Sequence, residues 1–291
     1  MNILLAMGAA FTQSIQSILK RNFNDRAHGG VFLFCAISSA FACLFFVITA
    51  SDFSYRAEQL LMSVLFAVAY CVSVIFSALA IKTGSLAKTN LIISYSLLIP
   101  TFYGIIFKNE SAKATLLVGI VLLAAALFMT NYNKKSDENT GSEDKRAGFK
   151  WLVFVMISFI GNGMCTIVQD VETSMYGDSG KSMFMIIALA IVSVFLTTYT
   201  LCLSTERKEL EFNLKCGIVF GSLCGIANGL TNFLVLYLLS RLPSSVMFPI
   251  ISAGGMVFVF LYSIIFLKEK YTTMQKIGYA LGVLSIIFLN L

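Results

Sequence analysis

Residues 266–282 read FLKEKYTTMQKIGYALG, and residues 107–119 read FKNESAKATLLVG. The two stretches share three landmarks at one spacing. Phe107, Glu110 and Gly119 correspond to Phe266, Glu269 and Gly278, each displaced by 159 positions. Each copy lies between two long apolar runs, and 159 positions is more than half of a 291-residue chain. The sequence therefore divides into two related halves.

Working outward from the repeat, the composition fixes the solvent. The chain is 58% hydrophobic and 12% charged, with 26 Phe and a mean hydropathy of +0.85. A soluble domain carries about 25% charged residues. Half that, with apolar runs throughout, predicts a polytopic membrane protein whose partner is the lipid bilayer. The net charge of +6 is no nucleic-acid signal, because the basic residues sit between apolar runs. No cleavable signal peptide is expected, since the first run leads straight into polar Gln13–Ser17. The seven cysteines fall in apolar stretches without a CxxC, so they read as small packing residues, and no metal or cofactor is expected.

A helix needs about 20 apolar residues to cross the hydrocarbon layer. Ten spans are expected: Ile3–Leu19, Val31–Ala50, Leu60–Ile81, Leu86–Phe107, Ala114–Tyr132, Trp151–Val168, Ser182–Leu203, Leu214–Leu239, Ser245–Leu267 and Met274–Leu291. The division is a first five-helix repeat at 1–132, a disordered charged linker at 133–149, and a second five-helix repeat at 150–291. Five is odd, so the second half enters the membrane from the opposite side. The expected fold is an all-α membrane protein of ten transmembrane helices in two inverted-topology repeats. Sixteen of the 21 Lys and Arg fall in the odd-numbered loops, the linker included. The positive-inside rule then makes the linker cytoplasmic and puts both termini outside the plasma (inner) membrane.

Ten spans, a five-plus-five repeat, and Glu just after spans four and nine resemble the drug/metabolite transporter superfamily, in its EamA-like branch. The resemblance runs over the whole chain. It is strongest in Ser245-Val246-Met247-Phe248-Pro249, Phe266-Leu267-Lys268-Glu269 and Gly278-Tyr279-Ala280-Leu281-Gly282. It implies transport around a central cavity lined by spans one, three, four, six, eight and nine. Members move amino acids, nucleotide sugars, phosphorylated sugars, choline or cationic drugs. Some place both termini in the cytoplasm, whereas the charge distribution here places them outside. Small multidrug exporters, similar to one half of this architecture, carry a glutamate in their first span. Gln13 and Gln16 stand in this chain's first span instead.

Polar side chains inside the spans form stripes at helical spacing. Span one offers Gln13, Gln16, Ser17 and Lys20; span three Phe66, Tyr70, Ser73 and Ser77; span four Asn90, Ser94 and Tyr95. Span six offers Asn162, Thr166, Gln169 and Asp170, and span eight Asn228 and Asn232. Amides facing lipid are costly, so these faces should turn inward. A substrate cavity and simple helix-to-helix hydrogen bonding are both open for any one residue. The set favours a cavity, because the stripes fall on corresponding spans of both halves. Asp170 is the carboxylate with a chance of reaching it, for coupling or charge recognition. Lys88 either snorkels to the head groups or attracts an anion.

Other features read as structural. Gly217, Gly221, Gly225 and Gly229 recur every four residues along span eight, a surface for close helix packing. Glu110, Glu269, Gly119 and Gly278 mark the repeated turn, where a carboxylate suits a helix N-terminus. Gly177-Asp178-Ser179-Gly180 imitates a protease nucleophile motif. Its serine would need a histidine base, and the sole histidine, His28, lies in a loop on the opposite side. The protein is therefore not expected to be an enzyme.

The expected activity is secondary transport, as exporter or facilitator, of a small polar metabolite such as an amino acid, by a monomer or homodimer. The alternatives are an organic-cation or multidrug transporter, and a non-transporting membrane scaffold or sensor. The topology is directly testable. A reporter fused after Leu291 is expected to be silent in the cytoplasm and active outside; cytoplasmic activity would reverse the orientation.

Overall fold

The computed structural model describes residues 2–27, 29–50, 53–107, 114–131, 142–177, 179–202, 210–239, 241 and 244–289. Every regular element among the described residues is a helix. In order they are α1 (Asn2–Arg26), α2 (Val31–Thr49), α3 (Gln59–Thr83), α4 (Leu86–Ser94), a 3-10 turn (Tyr95–Leu97) and α5 (Leu98–Phe107). Then come α6 (Ala114–Asn131), α7 (Ser142–Tyr176), α8 (Lys181–Cys202), α9 (Leu210–Leu239), α10 (Ser244–Ile265) and α11 (Thr273–Leu289).

Six of these are long and apolar enough to cross a membrane: α1, α2, α3, α7 from Gly148, α8, and α9 from Asn213. Shorter apolar stretches occupy Val118–Thr130, Ile250–Ile265 and Thr273–Phe288. The burial pattern points the same way. Val68, Val121 and Val194 are more than 60% exposed, while Ser39, Ser63, Ser158, Ser263 and Ser285 are fully buried. Water would favour the reverse; lipid favours this arrangement. The protein is an all-α, multi-pass membrane protein.

Two expectations change on sight of the helices. The linker expected at 133–149 is partly helical, because α7 begins at Ser142. The fourth span is interrupted rather than continuous. Pro100 lacks an N–H, and its ring clashes with the carbonyl four residues back, at Ser96. The 3-10 turn sits on that residue.

Small residues set the helix spacing. α9 packs on both α1 and α2, α7 on α3, α4 and α5, and α8 on α2 and α3. α1 also meets α10, α4 meets α10, and α6 pairs with α11. The glycine ladder of α9 lies against α2. A Cβ added at Gly225 would stand 2.4 Å from the Ser38 carbonyl oxygen, and one at Gly229 would meet the Phe45 ring at 2.7 Å. At Gly217 the obstacle is only the tip of Ile37, at 3.0 Å. The repeat glycines act similarly: Ser285 donates to the Gly119 carbonyl at 2.8 Å, and Gly278 rests on Thr130. Glu110 lies outside the described residues, and Phe107 and Phe266 are exposed. Backbone cannot yield as a side-chain tip can. Gly225→Ala is therefore expected to destabilise by about 1–3 kcal/mol, and Gly217→Ala by well under half as much, measured by thermal unfolding in detergent.

Candidate functional site

Six helices line a cavity of about 160 Å³. α1 contributes Gln13, Gln16, Ser17 and Lys20; α3 contributes Phe66, Tyr70, Ser73 and Ser77. Asn90, Ile93 and Ser94 come from α4, and Ser96 from the 3-10 turn. α7 adds Asn162, Cys165, Thr166 and Gln169; α9 adds Asn228, Thr231, Asn232 and Val235; α10 adds Phe248, Ile251 and Ser252. Of the twelve side chains expected at a substrate site, all but Tyr95 line it.

The polar wall is cross-linked by its own hydrogen bonds. Gln169 Nε2 donates to Asn232 Oδ1 at 3.0 Å, Asn232 Nδ2 to Asn228 Oδ1 at 2.8 Å, and Asn228 Nδ2 to the Tyr70 hydroxyl at 2.7 Å. This chain ties α7 through α9 to α3. Gln16 Nε2 donates to Thr231 Oγ1 at 2.9 Å, which also meets Thr12 Oγ1 at 2.7 Å. Ser17 donates to Asn90 Oδ1 at 2.7 Å, and Asn162 Nδ2 to Ser96 Oγ at 2.7 Å. Each bond removes an amide or hydroxyl from the penalty of lying unpaired in a low-dielectric interior, about 1–3 kcal/mol per group. The Phe66 and Tyr70 rings stack on one wall at 5.8 Å.

Three expected residues lie elsewhere. Tyr95 is buried among Leu91, Met256 and Tyr279, with its hydroxyl 2.8 Å from where a Gly282 Cβ would stand. The 3-10 turn shifts the helical phase there, so Ser96 faces the cavity and Tyr95 the α10–α11 contact. Lys88 is outside the lining, and the Glu269 carboxylate is the charge that acts on it. Asp170 is also outside the lining and half-buried. The stripe Asn162, Thr166, Gln169 continues on a helix to position 173. Asp170 and Glu172 flank it on either side, and the α3 contact buries the Glu172 side.

Glu172 is the carboxylate the sequence reading missed. It is fully buried, one turn beyond Gln169. Gln59 Nε2 donates both to its Oε1 and to the Ser179 carbonyl, each at 3.1 Å. The Gln59 Oε1 accepts from the Arg56 backbone N–H at 3.0 Å. One glutamine thus joins the start of α3, the end of α7 and the turn before α8. Gly180, in the left-handed region at φ 77°, leaves the room: a Cβ there would stand 2.6 Å from Gln59 Oε1.

A second latch closes the other end of the helices. Ser85 Oγ donates to Glu269 Oε2 at 2.9 Å, and the Tyr271 hydroxyl donates to the same oxygen. Ser263 Oγ also meets that hydroxyl, at 2.9 Å. Glu269 therefore joins the α3–α4 turn to the α10–α11 turn, more than the helix-end charge expected of it. Burial first, then the bond to Glu269, push the Tyr271 hydroxyl up to about 12, so it remains a donor throughout the physiological range. Beside this latch Arg21 donates to the carbonyls of Ile81 (3.1 Å) and Gly84 (3.3 Å), and Asn24 to that of Ala78 (3.0 Å), fastening α1 to α3. Trp151 packs over Gly84 and donates to Thr89 Oγ1 at 2.9 Å.

No family model matches the chain, and no curated protein matches it. Solved structures do. One crystal structure, which carries no functional description, aligns over 99% of this chain and 95% of its own at a TM-score of 0.64. The identity is 10%, so the likeness is one of fold alone.

The Glu269 latch yields a stability test. Glu269→Gln and Tyr271→Phe should each lower stability by about 1 kcal/mol, the group being only partly buried. The double variant should lose little more than either single one. Additive losses would mean that the two side chains act independently.

Proposed function

We propose that the protein is a secondary transporter of a small polar metabolite, such as an amino acid, working by alternating access around this cavity. The observation that carries the reading is the cavity's composition: amides and hydroxyls from helices of both halves, with the Lys20 ammonium among them, converging inside a membrane protein. Such groups are costly in lipid and suit a solute that exchanges water for protein hydrogen bonds. A volume of about 160 Å³ is below the roughly 300–1,000 Å³ of pockets for drug-sized ligands. Among the described residues no carboxylate lines the cavity. Both facts favour a small solute over a bulky organic cation, despite the Phe66–Tyr70 stack.

The proposal includes ten spans as an inverted repeat, in the manner of the EamA-like drug/metabolite transporters. The helix contacts support it, because exchanging the halves maps the most extensive of them onto one another. α1 on α9 becomes α7 on α3, α2 on α9 becomes α8 on α3, and α1 on α10 becomes α7 on α4–α5. The pairs α2–α8, α4–α10 and α6–α11 map onto themselves. An axis in the membrane plane would relate halves that meet this way. The Gln59 and Glu269 latches, at opposite ends, would then be the two closures that alternate.

Purified protein in liposomes is expected to show saturable uptake of at least one member of a broad amino-acid panel. Asn162→Ala, which removes a cavity amide, should lower that uptake at least fivefold without a matching loss of thermal stability. Absence of uptake across the panel would instead favour a scaffold or sensor.

A further inference from the structure

Lys20 is the one cationic side chain in the cavity lining, and the stripe on α1 carries it there directly. Gln13, Gln16, Ser17 and Lys20 are spaced i, i+3, i+4 and i+7, so the ammonium shares a face with three other lining groups. Its Nζ donates to Ser77 Oγ at 2.8 Å. An ammonium has three N–H donors, and a serine oxygen brings no negative charge. Among the described residues no carboxylate pairs with Lys20. The charge thus faces a small polar chamber whose other described walls are neutral.

An ammonium without a counter-charge inside a membrane protein is costly, and such residues mark the path of a charged solute. The walls decide which solute. A cation would meet a like charge and no carboxylate. A phosphate dianion calls for several cations or a helix N-terminus aimed at it. One ammonium beside neutral amides and hydroxyls balances one negative charge. Resting on the reading of this cavity as the solute site, we propose that Lys20 is its specificity-determining residue and that the solute carries a single carboxylate, as an amino acid or small organic acid, held by the Lys20 ammonium. Ser77 fixes the ammonium from α3, and Ser17 and Asn90, bonded to each other one turn away, bound the same end of the chamber. The remainder of the solute then lies toward Gln16, Thr231 and Asn162.

The test is binding to the full-length protein in detergent, read as thermal stabilisation. The probes are monocarboxylates of two to six carbons, α-amino acids among them, each paired with its primary amide, with inorganic phosphate as a further arm. Wild type is expected to bind at least one carboxylate roughly 10- to 100-fold more tightly than its amide, the size of a charge-assisted hydrogen bond. Lys20→Met should abolish that preference, and Lys20→Glu should turn it toward amines. A mere α1–α3 tether would not reverse in this way. Asn24→Leu cuts a neighbouring α1–α3 contact outside the cavity, and should lower stability while keeping the preference. If Lys20→Met does not fold, the wild-type preference and Lys20→Glu decide. Equal binding of acids and amides, tighter binding of phosphate, binding of no carboxylate, or a preference that survives Lys20→Met would each overturn the proposal. Carboxylate binding without liposome uptake would count against transport and leave the Lys20 assignment standing. Uptake indifferent to the carboxylate would do the opposite.

Discussion

A bilayer offers no hydrogen bonds, so every amide and hydroxyl placed in these apolar helices must find its partner inside the protein. That constraint organises the molecule. It turns the polar faces of α1, α3, α4, α7 and α9 toward one another, and it leaves valine and leucine outside. Across the cavity the bonds are short and run side chain to side chain, as from Gln169 through Asn232 and Asn228 to Tyr70. No single bond is strong on a net basis, but each prevents a larger penalty. The result is a rigid polar wall that still encloses a space, and that space is the reason to speak of a site.

Two kinds of contact hold the wall in position. Away from the cavity, glycine lets α9 approach α2 until backbone meets backbone, with a Gly225 Cβ excluded by the Ser38 carbonyl. Such packing transmits force between helices and does not rearrange easily. At the helix ends the joints are polar and few: Gln59 with Glu172 at one end, and Glu269 with Ser85 and Tyr271 at the other. A structure stiff along its length and joined by a handful of hydrogen bonds at each end is suited to rocking between two closures. The 3-10 turn before Pro100 interrupts the helix between α4 and α5 at the cavity wall, where Ser96 meets Asn162.

Much of this was legible in the residues. The cost of amides in lipid made the stripes informative, and Gln13, Gln16, Asn162, Gln169, Asn228 and Asn232 all reached the cavity. The exceptions have physical causes. Tyr95 was misplaced because it was grouped with its chain neighbour Ser94; at 3.6 residues per turn it already points about 140° away from Asn90, and the 3-10 turn leaves it against α10 and α11. Asp170 was preferred over Glu172 because both flank one stripe; the neighbour that buries one flank is a tertiary fact. Lys20 stood in the right stripe, yet it lies one residue past the expected end of span one at Leu19, so it was not offered as a site residue. Glu269 looked like a helix-end charge because its partners, Ser85 and Tyr271, meet it only through the fold. Across the whole chain, similarity to a solved structure persists at 10% identity. The pattern of small, polar and apolar positions specifies such a bundle with few particular residues.

The central claim is that the cavity is a water-accessible solute site reached from either side of the membrane. Cysteines introduced singly at Thr231 and Ser94, in a cysteine-free background, test it most directly through labelling by a membrane-impermeant thiol reagent added to each side in turn. Both positions should label from both sides, and a bound solute should slow labelling at both. Labelling from neither side would contradict the account, and would reduce the polar chamber to internal hydrogen bonding between helices.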